Sequence, residues 1–132
     1  MSTTLKALVE NSNDSLTGLE ATFVGYQDQG MVIEYINPAN LDIDFLAAYT
    51  SELIRANAKF KSVLSKQSEI KYIITSTSQN RLILQMIPNT EFYVAMVTNN
   101  SVKFEDSIPV FKKLLMSSRK ILVKKSVAGL RA

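Results

Sequence analysis

Between Glu69 and Thr98 lie three runs of β-branched and aromatic residues, 69–77, 81–87 and 91–98. Only Ser78-Gln79-Asn80 and Pro88-Asn89-Thr90 separate them. Turns this short reverse the chain and leave no room for a crossover, so the three runs predict an antiparallel meander. An earlier pair of runs, 20–27 and 31–36, flanks Asp28-Gln29-Gly30, a three-residue loop ending in glycine that reads as a hairpin. Asn37-Pro38 ends its second strand.

Three segments instead repeat their apolar residues at helical spacing. Residues 4–17 place Leu5, Leu8, Val9 and Leu16 on one stripe together with Ser12. Residues 43–64 align Ile43, Leu46, Ala47, Thr50, Leu53, Ile54, Asn57, Phe60 and Leu64. Residues 107–123 align Ile108, Phe111, Leu114, Leu115, Ser118, Ile121 and Leu122. Asp42 or Asn40 can cap the second helix, and Ser107 or Asp106 the third, which puts Pro109 in a first turn that needs no proline N–H. The order α-β-β-α-β-β-β-α predicts an α+β fold in which five strands form one antiparallel sheet. Three helices then cover its two faces in an α/β/α sandwich. A chain of 132 residues suits one domain, taken as 1–123, with 124–132 as a basic C-terminal tail.

The composition removes most catalytic toolkits. The chain has no His and no Cys. Thiol nucleophiles, disulfides and Ser–His dyads are excluded, and the common transition-metal ligands are missing. The four glycines, at 18, 25, 30 and 129, cannot build a P-loop or a dinucleotide-binding fingerprint. Asp42/Asp44 and Glu105-Asp106 each precede a helix, where carboxylates cap and complement the dipole. No catalytic residue, cofactor or metal site is expected, and an interaction protein is the leading class. No apolar run is long enough to span a bilayer and the N-terminus lacks a signal-peptide pattern, so the expected location is cytoplasmic.

Charge is distributed unevenly. After Asp106 come seven bases and no acid, leaving eight bases against twelve acids in the first 106 residues. The basic segment reads first as a solvated helix face and tail, with a membrane surface or acidic partner as the alternative. Its one aromatic residue, Phe111, gives no stacking platform, so no specific nucleic-acid partner is expected. Tyr49 falls off the apolar stripe of the central helix and is placed to face a partner.

The stretches Leu19–Tyr35 with its Asp-x-Gly turn, Asp42–Ala58 with its alanine-rich helix, Ile70–Thr77 followed by Arg81–Pro88, and Phe92–Asn100 together resemble the Roadblock (dynein light chain) superfamily, including its bacterial members that regulate small Ras-like GTPases. The resemblance covers about residues 5–122. It implies a dimer formed through the central helix and the edge of the third strand, here Ala47, Ala48, Ile54, Ile70, Tyr72, Ile73 and Ile74. An edge as apolar as Tyr72-Ile73-Ile74 is an aggregation hazard unless covered, and a symmetry mate would cover it. The resemblance also implies a GTPase partner, with Tyr49, Glu52, Arg55 and Lys59 as contacts and Arg55 or Arg81 as the only arginine-finger candidates. The alternative is a small-molecule sensory domain, which would need a buried polar group facing a cavity.

Overall fold

The computed structural model describes residues 4–65 and 67–131, with the side chains of Gln29 and of residues 124–131 outside the description. Helix α1 spans Leu5–Ser15, with the Thr4 hydroxyl accepting from the Ala7 N–H at 3.1 Å. Strands β1 (Leu19–Tyr26) and β2 (Met31–Ile36) are joined by a single 3₁₀ turn at Asp28–Gly30. Helix α2 spans Ile43–Ser62, and Asp42 caps it by accepting from the Phe45 N–H. Strands β3 (Ile73–Ser76), β4 (Asn80–Met86) and β5 (Phe92–Asn99) follow, then helix α3, Phe104–Arg131.

The strands form one antiparallel sheet in the order β2-β1-β5-β4-β3, so β5 is central and β2 and β3 are the edges. Alternation along β5 divides the core into two layers. Val94 and Met96 face α1 and α3, where Val9, Ile83, Phe111 and Leu122 complete the packing. Tyr93, Ala95 and Val97 face α2, joining Phe23, Leu84, Ala47 and Ile54. Each large side chain buried in this way contributes about 1.5–3 kcal/mol. The expected three-layer sandwich is thus the observed one, with α1 and α3 on one face and α2 on the other.

Three details differ from expectation. Strand β3 is four residues long and begins at Ile73 instead of 69. Tyr72 leaves the ladder because its ring packs edge-on against Phe111, in the α1/α3 layer. Helix α3 begins at Phe104, so Ser107 lies inside it, buried, with its hydroxyl donating to the Phe104 carbonyl at 2.7 Å. Pro109 is therefore inside the helix and deprives the Glu105 carbonyl of its helical donor, at an exposed residue where water can replace it. The helical backbone also continues past Val123 to Arg131.

The Ser12 found on the apolar stripe of α1 is buried, with its hydroxyl 2.6 Å from the Val9 carbonyl oxygen and 3.0 Å from Thr22 Oγ1 on β1. A polar residue is tolerated on a core stripe when its bonds are made there.

Candidate functional face around helix 2

The seat of α2 is set by the β1–β2 turn. Gly30 has φ +65°, and a Cβ there would lie 2.8 Å from the Ala47 carbonyl oxygen, so only glycine lets the turn close on the helix backbone. The Ser51 hydroxyl donates to the Gln27 carbonyl at 2.8 Å. Ala47, Thr50, Ser51 and Ile54 are the buried residues of α2, a narrow stripe of mostly small side chains facing the sheet. No residue of α2 beyond Ile54 is buried.

Phe60 and Leu64, assigned by their spacing to the core stripe, are in fact exposed, Phe60 by 58%. The last two turns of α2 bury none of their side chains. Phe45 is 66% exposed and Val63 77%. With Tyr49 and Ala56 these side chains recur at positions 45, 49, 56, 60 and 63, spacings that keep them on one side of a helix. The result is an apolar stripe along the outside of α2.

Beside the stripe lies a groove of about 500 Å³ between α2 and the β3–β4 side of the sheet. Leu41, Phe45, Leu46 and Tyr49 form one wall; Thr75, Thr77, Leu82 and Val97 line the rest. The Tyr49 hydroxyl reaches across to Thr75 Oγ1 at 3.3 Å. Charge is graded along the helix: Asp42 and Asp44 stand at its start, Lys59 and Lys61 at its end.

The proposed interface residues fall in different places. Ala48 is exposed on α2, and Ile74 is exposed on the edge strand β3. Ala47 and Ile54 point inward and are occupied by the chain's own core, because they share the sheet-facing stripe with Thr50 and Ser51. Ile73 packs on the α2 layer, Tyr72 on the opposite one, and Ile70 is half-buried ahead of the strand. Of the partner contacts, Tyr49, Glu52, Arg55 and Lys59 all stand on the outside of α2. Glu52 and Arg55 form an ion pair with each other. Arg81 is engaged elsewhere, its guanidinium 5.5 Å from the Phe104 ring centroid and Nη1 donating to the Val102 carbonyl. Phe45, not among the expected contact residues, also lines the groove, four residues before Tyr49 on the same side of the helix.

A sensory site has little support in this geometry. Two buried hydroxyls in the α2 layer, Thr50 and Tyr93, lack a hydrogen-bond partner among the described residues. Neither lines the groove beside α2, nor the wider cleft of about 870 Å³ along the β2 edge between Lys6 and Leu41–Asp44. Among the described residues no cluster of acidic side chains is suited to a metal ion, and no helix is long and apolar enough to cross a membrane.

The architecture and the element order match the Roadblock fold. Among solved structures, MglB of Myxococcus xanthus superposes with a TM-score of 0.80 at 14% identity, over 91% of this chain and 95% of that one. A Roadblock/LC7 domain from Streptomyces avermitilis gives 0.81 at 13% identity, over 92% and 99%. The gliding protein MglB of Thermus thermophilus gives 0.78 at 12% identity, over 92% and 93%. No protein-family model and no curated protein matches the sequence.

Proposed function

We propose that this chain is a non-enzymatic, dimeric regulatory scaffold whose partner is a small Ras-like GTPase. The observation that carries the reading is the apolar stripe on α2 beside an apolar groove, next to an uncovered edge strand. Exposed apolar patches of this kind mark association surfaces. An isologous two-fold makes use of all three features. If two α2 helices run antiparallel about their midpoints, Phe60, Val63 and Leu64 of one subunit meet the groove wall of Leu41, Phe45 and Tyr49 on the other. The acidic start of each helix then faces Lys59 and Lys61 of the partner subunit, and two β3 edges pair.

Glu52, Arg55 and Lys59, on the side of α2 away from the groove, are the contacts proposed for the GTPase, with Tyr49 at the seam. Arg55 shares an exposed ion pair with Glu52, a contact weak enough to be exchanged for a partner, and Arg81 lies over the Phe104 ring. Any effect on hydrolysis would come from ordering the partner's switch loops, where the catalytic groups reside. The test is titration of the full chain against purified bacterial small Ras-like GTPases loaded with GDP or a non-hydrolysable GTP analogue, alongside single-turnover hydrolysis. Nucleotide-dependent binding that Arg55→Glu and Lys59→Glu weaken supports the reading. Absence of binding in either nucleotide state by a chain that is dimeric removes the GTPase from it.

A further inference from the structure

The outer face of α3 beyond Asp106 carries bases and no acid, and the proposed scaffold role leaves it unused. Lys112, Lys113 and Lys120 are exposed on α3 and Arg119 is half-buried, its Nε without a hydrogen-bond partner. Lys112, Met116 and Lys120 are four residues apart, one above the other on the outer side of the helix, opposite the buried Phe111, Leu114, Ser118 and Leu122. Met116 is 50% exposed in the middle of these bases. None of the four bases is in an ion pair within the described residues, although Glu10 and Asp14 stand exposed on the neighbouring α1. The sequence of α3 has no acid after Asp106 and adds Lys124, Lys125 and Arg131.

We propose that the outer face of α3 docks on an anionic phospholipid surface. Part of the inference rests on the dimer reading. Antiparallel pairing of two β3 edges places the two-fold perpendicular to the sheet, so both α3 helices lie on one side and both α2 helices on the other. Two basic helices on a common plane, each with an apolar side chain among its bases, complement a flat anionic surface better than a compact acidic protein. The absence of aromatic residues among the bases disfavours stacked single-stranded nucleic acid. Each Lys or Arg near an anionic bilayer strengthens binding about fivefold. Docked in this way, the scaffold would turn its α2 face, and whatever binds there, toward the bulk.

The experiment is flotation of the full chain with vesicles of phosphatidylcholine alone or mixed with phosphatidylglycerol, at low and moderate salt. The expected result is binding to the mixed vesicles only, weakened by salt. K112Q and K120Q should each reduce it about fivefold, and Met116→Ser should also reduce it. Light scattering on the same variants separates this from the dimer reading: they should keep the wild-type mass. Binding confined to the mixed vesicles by a monomeric chain would sustain the lipid surface and overturn only the two-fold. No binding, equal binding to both vesicle types, or complete displacement by double-stranded DNA at equal charge would overturn the proposal.

Discussion

Tyr93 is the residue that the α2 layer is built around. Its ring is fully buried, meets Phe23 edge-on with centroids 6.0 Å apart, and lies across Gly25 on the neighbouring strand. A Cβ at Gly25 would sit 2.4 Å from the Tyr93 hydroxyl oxygen. The aromatic thus fills the space that the glycine leaves open, a known way of stabilising glycine in a sheet. Gly25→Ala should destabilise the fold by about 1–3 kcal/mol, measured by denaturant unfolding, because a ring held on every side cannot give way. The hydroxyl has no partner, and burial raises its pKa above the ordinary tyrosine value. Below about pH 10 the folded and unfolded chains both keep this proton, so it adds no pH dependence. Above that the unfolded chain releases it and the folded chain does not, so stability falls as pH rises. Tyr93→Phe should remove that alkaline loss and raise stability near neutrality by about 1–3 kcal/mol, the cost of an unmet buried polar group. An unchanged alkaline slope in the variant would assign the loss to other groups.

Helix 2 is the element on which fold and function meet. One side holds small residues against the sheet and the turn at Gly30; the other carries Phe45, Tyr49 and Phe60 into solvent. A surface helix ordinarily has one apolar side, and this one has two. For that reason its sequence was only half legible. The stripe Ile43, Leu46, Ala47, Thr50, Ile54 was readable because periodicity marks a buried face. Phe60 and Leu64 fall at the margin of that stripe, between the buried and the outer side, and periodicity alone does not tell on which side a marginal residue ends. Strand β3 was over-extended for a related reason: Tyr72 has strand-forming chemistry, but a ring of Phe111 that no local pattern reveals draws it to the other layer. The hairpin, the meander and the Asp42 cap were legible because turn chemistry is local. The charge gradient of α2 gives a test at this scale. Asp44→Lys or Lys61→Asp alone should weaken self-association by about 0.2–1 kcal/mol, and the two together should restore it, as read by sedimentation equilibrium. Phe60→Glu, which puts a charge into the groove, should cost more than about 2 kcal/mol, roughly thirtyfold in the dissociation constant.

At the scale of the molecule, two edges of one sheet are treated differently. Strand β2 carries a register shift opposite Val24/Gly25 and the charged Glu34, both devices that discourage a further strand. Strand β3 has neither: Ile73 and Ile74 begin a short edge beside the apolar groove and the outer stripe of α2. The three features lie together on one side of the chain, and a two-fold through that side covers them at once. The partner face proposed on α2 depends on that symmetry, and the lipid surface proposed on α3 gains from it a second basic helix in the same plane. The decisive measurement is therefore the mass in solution, by light scattering behind a sizing column, of the wild-type chain and of Phe60→Glu. The expected result is a wild-type species of twice the 14.7 kDa chain mass and a folded Phe60→Glu variant shifted toward the monomer. A wild-type chain that stays monomeric at high concentration, with its α2 stripe and β3 edge open to water, would contradict it.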